Sequence, residues 1–164
     1  MTAQPTICLG SAGPERMKSA ILRIYSVKPA ANGERRPAGV GFLVADEFAL
    51  TCAHVVYNAL AVAEGTKLPG GTVITFDFPL ALAATSGSGL FTASIEELIP
   101  RQPGGAGDVA VLRLKAPVPE ARPVRLAMVD GLWNHRAGVF GLPAGRPDGV
   151  WHSGIRAHTD CALD

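Results

Sequence analysis

The sequence predicts an all-β protein made of many short strands. Its 164 residues include 19 glycines and 13 prolines, a density of turn formers that favours short strands over long helices. Hydrophobic residues make up 48% and charged residues 18% of the chain, so it can bury a core and is not a disordered tail. Several short segments also carry an apolar side chain at every second position, which is the period of a strand with one buried face.

Turn formers and alternating segments divide the chain into predicted elements. Pro14 suits the first position of a helix. Alternation over 72–78 places Thr72, Ile74, Phe76 and Phe78 on one face of a strand. The predicted helices are 14–20 and 55–64, the latter ended by Gly65, and the strands outside the central hairpin are 21–27, 72–78, 90–99, 109–114, 137–143 and 149–156.

The most informative stretch is residues 39–56, which read GVGFLVADEFALTCAHVV. Apolar alternation on both sides of the Asp46-Glu47 pair predicts a hairpin buried on at least one face. Gly39 and Gly41 lack side chains, which suits places where another backbone comes close. We expect His54 where the second strand ends, because a strand end is held rigidly by its sheet yet opens toward solvent.

A second informative stretch, GDVAVLRL, begins at Gly107 and places Asp108 at the head of a strand. Taken alone, His54 is most simply a core histidine and Asp108 a turn residue that starts a strand. Their order and separation leave room for strands that bring the two together in one barrel. A carboxylate there would accept the Nδ1 proton of His54, so that Nε2 can take a proton from a nucleophile.

The two stretches resemble one family. Gly-x-Gly-Phe-Leu-Val followed by TCAHVV at 51–56 looks like the catalytic-histidine segment of the chymotrypsin-like (trypsin-like) serine peptidases, in particular the bacterial HtrA-type and related intracellular domains. The segment from Gly107 is similar to the one that carries the carboxylate of their triad. The resemblance covers roughly residues 20–160 and implies that His54 is the general base and then acid, with Asp108 as its orienting group.

The resemblance also implies a chymotrypsin-like double β-barrel, the first barrel near complete and the second partial. Its parts are an N-terminal extension over 1–20, a first β-barrel over 21–115 with His54 and Asp108, an inter-barrel crossing over 116–136, and the start of a second β-barrel over 137–164.

A serine peptidase needs a nucleophile on a tight turn, usually within Gly-x-Ser-Gly, and no such segment follows Asp108. Ser153 lies in a predicted strand without the required preceding glycine, and Cys161 lacks both glycines. Ser86 and Ser88 precede the aspartate. We therefore expect the catalytic serine, the oxyanion hole and the specificity pocket to lie on sequence beyond this chain.

The expected function is peptide-bond hydrolysis by a trypsin-like serine endopeptidase acting on protein or peptide substrates. Its partners would be the remaining protease half and further domains, because similar segments occur at the front of large intracellular bacterial proteins. The alternative is a non-catalytic protease-like barrel used for binding or for partner-dependent assembly. A half-built second barrel would then expose apolar strands and open sheet edges.

Charge and cysteine content argue against nucleic-acid binding, membrane binding and a disulfide-rich or zinc-finger protein. The formal net charge of +1 gives no electrostatic footprint for nucleic acid or an anionic membrane. No signal peptide or membrane-length apolar segment is written in the sequence. Cys8, Cys52 and Cys161 form neither a disulfide framework nor a paired zinc motif, which favours a cytoplasmic protein.

One metal alternative lies near the C-terminus, where His152, Arg156, His158 and Asp160 would share one strand face. Two histidines six positions apart on one strand are too distant to bind one ion without a bend. We therefore expect neither a metal nor a cofactor.

Overall fold

The computed structural model describes residues 13–81, 89–126, 136–143, 146 and 149–155. Strands far outnumber helices among the described residues, so the predicted all-β class is confirmed. The chain divides into two compact units, Met1–Val124 and Arg125–Asp164. The limits that the sequence analysis gives for the four segments 1–20, 21–115, 116–136 and 137–164 stay predictions.

The elements follow the predicted order closely. The helices are α1 (Gly13–Ala20) and α2 (Ala53–Leu60), and the strands are β1 (Ile21–Tyr25), β2 (Pro37–Ala45), β3 (Phe48–Thr51), β4 (Val73–Asp77), β5 (Phe91–Ile99), β6 (Val109–Leu114), β7 (Arg136–Gly141) and β8 (Val150–Ile155).

Six strands of the first unit close into an antiparallel barrel with the order β1-β2-β3-β6-β5-β4. The last of them in sequence, β6, lies between β3 and β5. Pairing of β1 with β4 closes the ring. A closed ring leaves no unpaired edge in this sheet, and the prediction of a near-complete first barrel is confirmed.

The barrel interior is filled by alternate residues of each strand, as the period of two requires. On β4 and just after it, Ile74, Phe76 and Phe78 are buried, which is the predicted face. Phe76 and Phe78 meet edge to face with ring centroids 5.7 Å apart, and Phe76 stacks on Phe91 at 5.8 Å. Among the described residues, the largest fully buried side chains are those of Phe76, Leu22, Ile24, Leu43, Leu112 and Val56.

A polar cluster of Arg23, Tyr25 and Asp77 lies across the seam between β1 and β4. The Arg23 guanidinium donates from Nε to Asp77 Oδ1 at 3.0 Å and from Nη2 to Oδ2 at 2.5 Å. The Tyr25 hydroxyl donates to the same Oδ2 at 2.8 Å. Burial, and then the hydrogen bond to Asp77, raise the pKa of Tyr25 to about 12. This half-buried cluster holds the closing strands in register.

The hairpin predicted from residues 39–56 is formed by β2 and β3, with Asp46-Glu47 as its turn. Both glycines of β2 are needed for close approach. A Cβ on Gly41 would lie 2.8 Å from the Leu50 backbone oxygen, and one on Gly39 would lie 2.6 Å from a methyl of Val55 on α2. The second contact lets the helix that carries His54 pack directly against the barrel.

The end of α2 differs from the prediction. The helix stops at Leu60 because Ala61 adopts the left-handed conformation with φ 55°. The N–H of Ala61 donates to the Asn58 oxygen at 3.2 Å, and that of Val62 donates to the Tyr57 oxygen at 3.1 Å. These two bonds form a Schellman motif, so the predicted end at Gly65 is wrong.

The second unit contains a two-stranded antiparallel sheet of β7 and β8. Phe140 lies opposite Trp151, and the two ring centroids are 5.3 Å apart. The strands predicted over 137–143 and 149–156 are therefore present, and they form the partial second sheet.

Among the described residues, neither helix combines the length and the apolar character that crossing a bilayer would take.

Candidate active site

β3 ends at Thr51, Cys52 connects it to α2, and His54 is the second residue of that helix. The prediction that His54 lies at a strand end is therefore wrong, because His54 lies at the start of the helix that follows β3. The Thr51 hydroxyl donates to the Val40 oxygen at 2.8 Å and anchors that strand end. Cys52 takes the N-cap position with extended backbone, and its side chain makes no capping bond.

Asp108 lies immediately before β6, and its backbone is left-handed with φ 60°. Asp tolerates this conformation better than most residues, because its short side chain can hydrogen-bond locally. Register brings it to His54: Thr51 at the end of β3 lies opposite Ala110 near the start of β6. The preceding Gly107 lies against the Pro100 carbonyl, where a side chain would collide with backbone.

The carboxylate of Asp108 binds His54 at two points. The His54 backbone N–H donates to Oδ1 at 2.9 Å, and the ring atom Nδ1 lies 2.7 Å from Oδ2. The side chains are 33% exposed for His54 and 17% exposed for Asp108, so the pair is held yet open to solvent. The structure thus brings together the two residues that the sequence singled out.

The first of these bonds also caps the helix. The N–H groups in the first turn of a helix have no partner within it, and the cap position here supplies none. Asp108 satisfies one of them from a different strand, with a charge-assisted bond. The start of α2 and the position of the imidazole are therefore fixed by the same carboxylate.

Asp108 stays ionised at neutral pH. Its pKa is lowered to about 2, first by the His54 N–H bond and then by the bonds from the imidazole and Arg101, against an opposing effect of burial. A carboxylate in this state accepts a hydrogen bond from the Nδ1–H group of His54, so that Nε2 keeps a free lone pair.

Arg101 is a site residue that the sequence did not single out. Its Nη2 donates to Asp108 Oδ2 at 3.1 Å, the oxygen that also faces the imidazole, and its side chain is 56% exposed. The sequence predicts a loop at Arg101, and the one sequence feature that could have pointed to this residue is its position seven residues before Asp108.

Cys52 is the second residue missed. Its thiol is exposed, and one donor atom each from Cys52, His54 and Asp108 lie within 4.8 Å of one another. Burial first, and then the nearby Asp108 charge, raise the pKa of this thiol. These three side chains are a set that can hold a metal ion, and they are not the C-terminal set weighed from the sequence.

The other candidate residues are placed as follows. Ser153 and His152 lie on β8 in the second unit and are exposed. Ser86, Ser88, Cys161, Arg156, His158 and Asp160 lie outside the described residues.

The chain matches no protein-family model and no curated protein. Among solved structures it is similar to HL collagenase, with a TM-score of 0.56 over 86% of this chain and 59% of that chain. The chain has a chymotrypsin-like fold. At 16% identity this likeness concerns the fold alone, and the chain spans less than two thirds of the collagenase chain. In this chymotrypsin-like fold, the closed barrel is the first and β7-β8 is part of the second.

Proposed function

We propose that this chain carries the histidine and aspartate of a trypsin-like serine endopeptidase. The observation that supports the proposal most directly is the two-point bond between Asp108 and His54, made at the start of a helix on a closed barrel. This arrangement fixes both the tautomer and the direction of the imidazole, which are the two tasks of the aspartate in a Ser-His-Asp triad.

In the proposed reaction, a serine hydroxyl attacks the scissile carbonyl while Nε2 of His54 takes its proton. The same Nε2 then gives that proton to the leaving amine, and an acyl-enzyme remains. Water hydrolyses the acyl-enzyme by the reverse proton path. Asp108 stays ionised throughout and stabilises the imidazolium, as its lowered pKa permits.

The serine itself is proposed to come from outside residues 1–164. The absence of Gly-x-Ser-Gly after Asp108 supports this, as does the coverage of 59% of the HL collagenase chain. The wider proposal is an HtrA-type or related bacterial protease module of a larger cytoplasmic protein, acting on protein or peptide substrates. It is supported by the motif resemblance at 39–56 and 107–114.

The test begins with the reading frame past Asp164. If it encodes Gly-x-Ser-Gly, the longer protein is expressed and treated with a fluorophosphonate probe, and casein hydrolysis is followed. We expect labelling at that serine, and we expect His54→Ala to abolish both labelling and hydrolysis while the matched control His152→Ala retains them.

Two outcomes would contradict the proposal. A folded longer protein that neither reacts with the probe nor cleaves casein would show that the dyad does not serve a peptidase. Labelling of Ser153 in the 164-residue chain would show that the nucleophile lies within residues 1–164 and not outside them.

The second candidate function is a non-catalytic barrel used for binding. One observation favours it: each face of the two-stranded β7-β8 sheet carries an exposed apolar side chain, Val139 at 63% exposure on one and Trp151 at 39% on the other. Size-exclusion chromatography with light scattering separates the candidates. A stop codon at the chain end together with a stable oligomer, lost in Val139→Thr, would support the binding function.

A further inference from the structure

We infer that Cys52, His54 and Asp108 form a binding site for a zinc ion, held by Sγ, Nδ1 and Oδ2. The thiolate, the imidazole and the carboxylate are the three ligand types that zinc takes in proteins. A set containing sulfur and nitrogen selects zinc over magnesium or calcium, which prefer oxygen ligands. Three protein ligands leave the fourth tetrahedral position to water.

The geometry needs small adjustments only. Tetrahedral zinc with bonds of 2.0–2.3 Å requires its ligand atoms to be about 3.5 Å apart. Nδ1 and Oδ2 are now 2.7 Å apart and must separate by less than about 1 Å. The three donor atoms lie within 4.8 Å of one another, and the exposed Cys52 side chain can turn inward.

The carboxylate is already oriented for an ion. Its Oδ1 is held by the His54 N–H, which leaves Oδ2 directed toward the imidazole. Hydrogen bonds that fix a ligand in this way strengthen metal binding in known sites. Arg101 opposes the ion, because its guanidinium also bonds Oδ2. Its side chain is more than half exposed and can move into solvent.

Charge and protons balance in the zinc complex. The thiol proton of Cys52 is released to solvent, and the Nδ1 proton of His54 is exchanged through solvent for one on Nε2. A thiolate and a carboxylate then neutralise the two charges of the ion.

One consequence rests on the proposed function. With zinc on Nδ1 and a proton on Nε2, His54 has no lone pair to accept the serine proton. Zinc is therefore expected to act as a reversible inhibitor of the peptidase, through a cysteine that takes no part in the triad.

Binding is tested on the full 164-residue chain without any activity assay. Cys8→Ser and Cys161→Ser leave Cys52 as the sole thiol. Calorimetry with Zn²⁺ is expected to give one ion per chain, and Co²⁺ is expected to show thiolate-to-metal charge-transfer absorption. Long-range proton–nitrogen NMR of the His54 ring should show the ion on Nδ1.

Variants in the same background assign the ligands. Cys52→Ser should abolish the charge-transfer band. Asp108→Asn should weaken Zn²⁺ binding by more than ~10-fold, because even the loss of a group that only orients a metal ligand costs about that much. Arg101→Gln should tighten binding, because it removes a repelling cation. His152→Ala is the matched control and should leave the affinity unchanged, with circular dichroism confirming that each variant is folded.

The inference is overturned if folded protein shows no charge-transfer band, if Cys52→Ser binds Zn²⁺ as tightly as its parent, or if the ion lies on Nε2. Zinc binding with no fluorophosphonate labelling of the longer protein would refute the peptidase alone. Peptidase activity that Zn²⁺ leaves unchanged, with no binding to the chain, would refute the zinc site alone.

Discussion

Replacing Asp108 by Asn, Gly or Ala separates the three contributions of this residue to the stability of the barrel. Asn keeps an oxygen for the His54 N–H but loses the charge that faces the imidazole and Arg101. The hydrogen bond between the carboxylate and the imidazole is partly exposed, so its weakening in Asp108→Asn should cost about 1 kcal/mol.

Gly also removes the bond to the helix N–H, which adds about 1 kcal/mol, the usual cost of a lost helix cap. Ala loses the same contacts and must in addition adopt φ near 60°, which costs about 1 kcal/mol more for a residue with a Cβ. The expected losses in free energy of unfolding are therefore about 1, 2 and 3 kcal/mol for Asn, Gly and Ala.

Urea unfolding followed by circular dichroism measures this series. With a slope of about 2 kcal/mol/M, the midpoints should fall by about 0.5, 1 and 1.5 M at unchanged slope. Glu97→Ala, an exposed acid on β5, is the control and should stay within about 0.5 kcal/mol of the parent. Equal midpoints for Asn and Ala would refute the helix-capping role, and a Gly variant no more stable than Ala would refute the left-handed strain.

Four further results are expected. The stability advantage of the parent over Asp108→Asn should disappear as the pH falls from about 4 to about 2, because the folded-state pKa of Asp108 is lowered to about 2; an advantage unchanged at pH 2 would contradict this. Gly39→Ala should destabilise by about 1–3 kcal/mol through collision with Val55, Val55→Ala should partly rescue it, and Gly70→Ala, whose surroundings are open, should be neutral. Asp77→Ala should cost about 2 kcal/mol more than Asp77→Asn, since Ala removes the carboxylate oxygens that accept hydrogen bonds from the half-buried Arg23 and from the Tyr25 hydroxyl; equal urea midpoints would disprove the role of this cluster. In a longer protein with an active serine, Asp108→Asn should lower kcat by about 10⁴ at unchanged fold, and a loss below tenfold would remove Asp108 from the mechanism.

The sequence was sufficient for the barrel strands because their signals are local. The alternation of Ile74, Phe76 and Phe78 predicts a buried strand face without knowledge of its partners, and the structure confirms that face. The meeting of His54 and Asp108 was predictable only through resemblance, since a pairing between β3 and β6 depends on the whole ring.

The end of α2 and the roles of Arg101 and Cys52 could not be predicted from the sequence, in each case for a physical reason. Gly is the usual residue for a left-handed helix end, which is why the sequence predicts an end at Gly65, whereas Ala61 adopts that conformation because two backbone hydrogen bonds hold it. Arg101 reaches Asp108 through a loop whose path no periodicity reveals. Cysteine spacing in the sequence tests Cys52 only as a partner for other cysteines, whereas its neighbours in the structure are the imidazole and the carboxylate.

The position of β6 in the ring has a consequence for synthesis on the ribosome. Strands β3 and β5 remain without their shared neighbour until residues 109–114 have left the exit tunnel, and Asp108 arrives with that same segment. Nascent chains shorter than this have two open sheet edges, which favour association with other chains until the ring closes. Completion of the ring and assembly of the His54–Asp108 pair therefore depend on the same segment of the chain.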